Sequence, residues 1–276
     1  MQMNPGTQSP HYLRCHAGQW ETLRSEVIVE TPVSVTVNGH TWITLMCTPT
    51  DLEALAVGFL FNEGAVKSRK EIELVQVCPH GDNVDVWINH PVEQPSQWRR
   101  TSGCTGGATA VIPENLHPEL KNGFVLASEA INRLVEDLLG SQKLYREVGG
   151  VHTSILSDGE RVVVSAEDVG RHNSLDKIAG HCLLNSIELP RRILVTTGRI
   201  SSEMIQKAAR IGASVVISRT SATSLSVKMA EKWGITLIGY ARRDQYIVYT
   251  HPERILQTRG EVCLVSLSKE VCRHDR

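Results

Sequence analysis

Hydrophobic and polar residues alternate along Val27–Met46 (VIVETPVSVTVNGHTWITLM), the period-two signature of half-buried strands. Asn38-Gly39 in its middle is the residue pair a two-residue hairpin turn prefers. Thr50-Asp51-Leu52-Glu53 has the spacing of a capping box, and the apolar run behind it predicts a mostly buried helix ending near Gly64. Alternation returns over residues 72–88. Residues 98–123 carry neither period: Trp98-Arg99-Arg100 leads through Gly103-Cys104-Thr105-Gly106-Gly107 into a Pro/Asn/His-rich stretch that reads as a long loop.

The second half is more regular. Ile131, Leu134, Val135, Leu138 and Leu139 recur at helical spacing behind Ser128, a plausible cap. Val151–Leu156 and Arg161–Val164 flank Asp158-Gly159 as a second hairpin. Leu175, Ile178, Ala179, Cys182 and Leu183 mark another helix face. Strands then alternate with helices: 193–197, helix 202–211, 214–218, helix 223–233, 235–240, with Gly212 and Gly234 where C-terminal caps belong. Strands joined by single helices predict a parallel sheet with right-handed crossovers, hence an α/β fold. The expected division is an arm without regular structure (1–20), a smaller N-terminal α+β domain (21–97), a mobile Gly-rich loop or linker (98–123) and a C-terminal domain (124–276).

Charge narrows the function. With 29 Lys plus Arg against 30 Asp plus Glu the net charge is -1, without the basic excess of a chain that coats nucleic acid or an anionic membrane. The densest apolar run, Ala54–Phe61, falls short of the roughly 18 residues of a membrane span, and the N-terminus has no apolar leader core. The seven cysteines (Cys15, Cys47, Cys78, Cys104, Cys182, Cys263, Cys272) are an odd count scattered through a long chain, which favours reduced thiols in the cytoplasm over a disulfide framework. No C-x-x-C pair and no H-x-E with P-C-x-x-C occurs, so no zinc is expected, and a deaminase or metal-dependent nucleotide hydrolase is disfavoured.

Candidate chemistry lies where ligands bind open parallel sheets, beyond the carboxyl ends of the strands. Those ends read Thr196-Thr197-Gly198-Arg199, Ser218-Arg219-Thr220-Ser221 and Tyr240-Ala241-Arg242-Arg243. Arginine grips phosphate in bidentate fashion and helix starts favour anions, so the three ends together suggest a phosphate cradle. Alternatively the arginines are solvated, or paired with Glu167, Asp168 or Asp244. Glu167-Asp168-Val169-Gly170-Arg171-His172-Asn173-Ser174-Leu175-Asp176-Lys177 admits two readings. It is a solvated helix entrance with internal ion pairs, capped by Asn173 or Ser174, or a polar wall with His172 titrating near neutrality. His152 is either a satisfied strand histidine or a site residue. Cys47 and Cys182 sit in apolar runs as core residues, whereas Cys104 lies among glycines and hydroxyls near Arg99 and Arg100, which favour a thiolate.

These segments resemble the FdhD/NarQ family of formate dehydrogenase accessory sulfurtransferases. The resemblance rests on Thr31-Pro32-Val33, Asn38-Gly39, Asp51-Leu52, Gly58-Phe59, Glu63-Gly64 and Thr101-Ser102-Gly103-Cys104. It continues through Gly149-Gly150-Val151-His152, Glu167–Lys177, Gly198-Arg199, Glu203-Met204, Lys207-Ala208, Thr236–Tyr240 and Tyr249–Arg254. It implies a cytidine-deaminase-like C-terminal core without the deaminase zinc ligands, and a homodimer in the cytoplasm. It further implies a protein that takes sulfur from a cysteine desulfurase and passes it to the molybdenum cofactor, bis-molybdopterin guanine dinucleotide, for the formate dehydrogenase catalytic subunit. The persulfide-carrying cysteine of the family falls on Cys104. Its cofactor-binding segment falls on Tyr240, Ala241, Arg242, Arg243, Asp244 and Gln245, at the third strand end, beside the cradle residues Arg199, Arg219, Thr220 and His152. GDP or GMP would then act as ligand analogues. The alternative is a chaperone that binds and delivers the cofactor without chemistry. Two departures stand out: Gly107 replaces the second cysteine of a C-x-x-C found in many members, and Arg242–Gln245 lacks the usual glycine.

Overall fold

The computed structural model describes residues 5–94, 98–100, 108–110, 125–243 and 245–256, with only the backbone at 98–100 and 108–110. The chain opens with a short strand β1 (Thr7–Gln8), a hairpin of β2 (His11–His16) and β3 (Gln19–Arg24), and β4 (Val27–Ile28), which pairs with β1. Sequence reading expects no regular structure before residue 20. Instead Ala17 (φ 50) and Gly18 (φ 82) make a turn that sets His11 opposite Arg24, and Arg14 pairs with Glu21 across the strands. Neither face of this hairpin is buried in the chain, so no apolar alternation announces it.

Next come β5 (Thr31–Val37), β6 (His40–Cys47), α1 (Leu52–Glu63), β7 (Ile72–Val77) and β8 (Asn83–Ile88), the four strands forming one sheet in the order β6-β5-β8-β7. The expected turn holds, with Asn38 (φ 48) and Gly39 (φ 82) in the left-handed region. Val33, Val35, Val37, Val84, Val86 and Ile88 line one face of the sheet, and Leu55, Phe59 and Leu60 of α1 pack against it. The capping box does not form. The Thr50 hydroxyl oxygen accepts from Lys177 Nζ (3.1 Å), and Asp51, at φ 51, precedes α1 without a side-chain cap bond. Gly64 ends α1 at φ 83, as the sequence suggests. Part of the expected long loop is strand: β9 (Trp98–Arg100) and β10 (Ala108–Ala110) pair antiparallel, Arg100 opposite Ala108.

The remaining elements are β11 (Leu126–Ala127), α2 (Ser128–Gly140), α3 (Leu144–Val148), β12 (His152–Ser157), β13 (Val162–Asp168), α4 (Arg171–Leu184), β14 (Ile193–Thr196), α5 (Ser202–Ile211), β15 (Val215–Ser218), α6 (Ser224–Lys232), β16 (Thr236–Gly239), β17 (Ile247–Val248) and β18 (Ile255–Leu256). Six of them form a sheet in the order β13-β12-β14-β15-β16-β17. The consecutive strands β14, β15 and β16 are parallel as expected, while β12, β13 and β17 run antiparallel to their neighbours. Leu156, Leu194, Val216 and Leu237 face α4, α5 and α6; Ile155, Val195, Ile217 and Ile238 face α2. The fold is thus mixed α/β, with the larger sheet between two helical layers.

Helix α4 ties this sheet to the smaller one. A Cβ on Gly58 of α1 would lie 1.7 Å from the Asp176 carbonyl oxygen, and one on Gly180 of α4 would lie 1.8 Å from that of Ala54. Only two glycines allow backbones to touch so closely. Gly212 ends α5 at φ 81 as expected, but the expected N-terminal caps of α2 and α4 are corrected. Ser128 is inside α2 and bonds the Tyr246 hydroxyl (2.5 Å). Asn173 and Ser174 are inside α4, which starts at Arg171 behind Gly170.

Candidate functional site at the strand ends

Register fixes what meets at the carboxyl edge of the parallel strands. Thr196 of β14 lies beside Ser218 of β15, and β12, running the other way, brings its first residue His152 to the same edge, opposite Asp168 at the end of β13. The loops leaving these strands are bonded to one another. Arg219 N donates to the Thr196 carbonyl (3.0 Å), Ser218 Oγ to the Gly198 carbonyl (2.7 Å), Tyr240 N to the Thr220 carbonyl (2.9 Å) and Ala241 N to the Ser218 carbonyl (3.0 Å). Ile200 N donates to Ser221 O (3.0 Å), joining the loops that feed α5 and α6. Ser201 caps α5 and Thr223 caps α6 in a full capping box with Ser226, so both helices begin at this edge.

The structure therefore brings Arg199, Arg219, Thr220, Tyr240, Arg242, Arg243 and His152 to one edge. Arg199, Thr220, Arg242, Arg243 and Gln245 are exposed, Arg219 and Tyr240 half-buried. Ala241 is wholly buried and offers only its backbone. Tyr240 adopts φ 50, and Gly239 before it has no room for a side chain, since a Cβ would meet Tyr249 Cε2 at 2.6 Å. The backbone of Arg242–Gln245 turns back on itself through Arg242 N to Gln245 O (2.9 Å) despite the missing glycine. Of the carboxylates that could have neutralised the arginines, Glu167 accepts from the backbone N–H groups of Lys143, Leu144 and Tyr145, and Asp168 pairs with Lys177. Among the described residues, Arg243 lies 3.7 Å from an exposed Glu136. Cys104 and Asp244 lie outside the described residues, as do Gly107, Cys263 and Cys272. Cys104 belongs to the seven residues joining β9 to β10.

The Glu167–Lys177 stretch departs from the first sequence reading and, in the titration of His172, from the second. It is not a solvated helix entrance, because every residue from Arg171 to Lys177 is buried. Lys177 Nζ, fully enclosed, sits 2.8 Å from Asp168 Oδ2 and donates to the carbonyls of Thr48 and Glu167 and to Thr50 Oγ1, each at 3.1 Å. Asp168 also accepts from Gly170 N (2.8 Å), Asn173 Nδ2 (2.9 Å) and Thr48 N (3.2 Å). A second buried pair joins Lys207 Nζ to Asp176 Oδ1 (2.5 Å), which also accepts from Asn62 Nδ2 (2.7 Å). Burial pushes the Asp176 carboxyl upward against the pull of Lys207. These groups fix the start of α4 against the β6–α1 segment and hold the edge in place.

His172 does not titrate near neutrality. Burial first, then the charges of Lys207, Arg171, His152 and Arg199, drive it down to about 3, so it is a neutral imidazole at physiological pH. His152 is half-buried, its Nδ1 is 3.3 Å from Thr197 Oγ1, and burial and Arg171 lower its pKa too. Sequence reasoning left Arg171 off the site, although its place in a Gly-Arg-His run directly after a strand is a signal for a helix start at this edge. Cys47 and Cys182 are core thiols as expected. Burial raises both, Cys47 to about 12, which leaves them unreactive. A cavity of ≈ 600 Å³ lined by Phe61, Lys67, Cys182, Leu183 and Arg192 opens at the other end of α4, away from the strand ends. No helix among the described residues is long and apolar enough to cross a membrane.

Comparison with known proteins agrees with this architecture. A solved structure described as a formate dehydrogenase accessory protein from Desulfotalea psychrophila superimposes with a TM-score of 0.75 at 31% identity, covering 91% of this chain and all of that one. The chain is 36% identical over 248 residues to the sulfur carrier protein FdhD of Bacillus subtilis, covering 88% of this chain and 95% of that protein. With the sulfur carrier protein FdhD of Staphylococcus aureus (strain MRSA252) it shares 33% over 252 residues, 89% and 95% of the two chains. The model of the FdhD/NarQ family matches residues 28–256, spanning both sheets and the strand-end edge, and the chain belongs to that family.

Proposed function

We propose that this chain is a sulfurtransferase that carries sulfur as a persulfide on Cys104 and hands it to the molybdenum cofactor destined for formate dehydrogenase. The observation that carries the reading is the gathering of four arginines, two helix starts and His152 at one strand-end edge, in a chain whose relatives are named sulfur carrier proteins. The substrate in this reading is bis-molybdopterin guanine dinucleotide, held by its nucleotide ends. Arg199, Arg219, Arg242 and Arg243 supply charge-assisted bonds to phosphate, the free N–H groups of helix starts add to them, and Thr220 and Tyr240 supply hydroxyls. The larger sheet with its helices is the cytidine-deaminase-like core of this proposal, and the chain works as a homodimer in the cytoplasm.

The chemistry asks little of the protein. The Cys104 thiolate attacks the outer sulfur of a cysteine desulfurase persulfide, the donor sulfur–sulfur bond breaks, and the desulfurase cysteine leaves as thiolate. With Gly107 at the position of a second cysteine, the persulfide is not expelled by closing a disulfide three residues on. It is released by an acceptor or reductant from outside that loop. The test is intact mass after incubation with a cysteine desulfurase and cysteine. Wild type should gain one sulfur and Cys104→Ser none; an adduct retained by Cys104→Ser overturns the persulfide assignment. Should Cys104→Ser still support active formate dehydrogenase while Arg242→Ala/Arg243→Ala does not, delivery without chemistry is the correct account.

A further inference from the structure

We propose that the cavity at the far end of α4, between the link from α1 to β7 and the link from α4 to β14, binds a small amphipathic anion. Its ligand is a carboxylate on a medium-length aliphatic body, with the head on the cationic rim and the body on the apolar floor. The inference stands apart from the strand-end edge and from Cys104.

The volume of ≈ 600 Å³ falls within the roughly 300–1,000 Å³ of small-molecule sites. The floor is hydrocarbon from both cores. Phe61 and Ile187 pack on the core between the larger sheet and α4, α5 and α6, Leu183 packs on that of the smaller sheet, and α4 adds the buried Ala179 and Cys182. The cavity therefore lies on the seam of the two cores, and Phe61, Leu183 and Ile187 are only half-buried there. Hydrocarbon left wet in a concave site is what an apolar ligand body covers.

The rim has one sign. Lys67, Arg69 and Lys70, all exposed, come from the link after α1, and Arg192 from the link before β14. The carboxylate of the same link is committed: Glu71 accepts from Lys67 N (3.0 Å), Ser68 Oγ (3.1 Å) and His90 Nε2 (3.0 Å). Neither lysine ammonium has a salt-bridge partner among the described residues. Arg69 donates to the Ile72 carbonyl (2.6 Å), and Arg192 to those of Ile211 (2.5 Å) and Ile187 (3.2 Å), bonds that hold the guanidinium groups in place without cancelling their charge. Against these four cations the lining carries one carboxylate, the exposed Glu188. Such a rim repels an amine, and the hydrocarbon floor cannot replace the hydration of a polyanion. A single anionic head with an aliphatic body satisfies both surfaces.

The test is calorimetry on the full chain with hexanoate, octanoate and decanoate, and with octylammonium as the cationic counterpart. Wild type is compared with Lys67→Glu/Lys70→Glu, whose fold is checked by thermal melt. Decanoate should bind saturably, each two methylenes should tighten binding about tenfold, and the double reversal should weaken decanoate about tenfold or more. Octylammonium should bind far more weakly than octanoate, and excess GDP should leave the decanoate affinity unchanged within twofold. Absence of saturable decanoate binding, affinity indifferent to chain length, or a double variant within twofold of wild type overturns the site. So does octylammonium binding as tightly as octanoate, and displacement by GDP would place the anion at the strand ends instead. If the double reversal fails to fold, Lys67→Gln/Lys70→Gln takes its place, with a loss of about threefold expected and none overturning the proposal.

Discussion

Lys177→Met is the substitution whose consequence follows most directly from the geometry. The methionine fills the space of the lysine stem but removes an ammonium that neutralises Asp168 at 2.8 Å and donates three hydrogen bonds, to Thr48 O, Thr50 Oγ1 and Glu167 O. Asp168 is left as a carboxylate fully enclosed by protein. Its three remaining donors, Gly170 N, Asn173 Nδ2 and Thr48 N, lessen the penalty without supplying charge. Breaking a buried pair from one side costs about 3–5 kcal/mol, chiefly through the uncompensated charge. For a chain of this size that corresponds to a fall in melting temperature on the order of 10 °C. The diagnostic comparison is Asp168→Asn/Lys177→Met, which removes the stranded charge and keeps an amide oxygen for Gly170 N and Asn173 Nδ2. By urea titration it should be at least about 1 kcal/mol more stable than Lys177→Met alone. A single variant within about 1 kcal/mol of wild type, or a double variant less stable than the single, refutes the account of Asp168 as a buried carboxylate held by one cation.

Three further outcomes are expected. Because the folded pKa of His172 is depressed from 6.5 to about 3, the unfolded chain binds its proton first, so stability falls as pH drops from 6.5 toward 3. His172→Asn should lessen the loss between pH 6.5 and 4.5 by about 2 kcal/mol in urea titrations; equal acid sensitivity would show that the imidazole is protonated in the fold. Gly58→Ala or Gly180→Ala should destabilise by more than about 3 kcal/mol, since each methyl meets a helix backbone rather than a flexible side chain, and a melt within a degree or two of wild type would contradict the close crossing. Iodoacetamide at pH 8 should label exposed Cys15 rapidly, and Cys47 and Cys182 only after urea; peptide mass mapping that finds Cys47 modified in the folded protein disproves its sealed position.

Turns and strand ends were legible because their signals are local. Asn38-Gly39, Gly64 and Gly212 adopt the backbone angles that their residue types favour, and the arginines that follow three adjacent strands meet once those strands are parallel. What escaped was decided at long range. The Thr50 box fails because its hydroxyl is claimed by Lys177, 127 positions away, and no window around Thr50 contains that fact. The burial of the Glu167–Lys177 segment is invisible in its sequence for the same reason: the groups that make it tolerable, Thr48, Asn62 and Lys207, come from other parts of the chain. The β2–β3 hairpin was missed for the opposite cause, since a strand pair with both faces wet lacks the alternation that marks most sheets.

The crossing of α1 over α4 reaches beyond stability. Because two glycines let these helices share a backbone contact and Lys177 is solvated by carbonyls from both sides of it, the covalent link between residue 94 and residue 125 is not what keeps the halves together. A protease nick anywhere in that stretch should leave two fragments that co-migrate on a native column and separate only in denaturant. The sequence between those two residues is thus relieved of any duty as a tether, and selection can act on it for other ends.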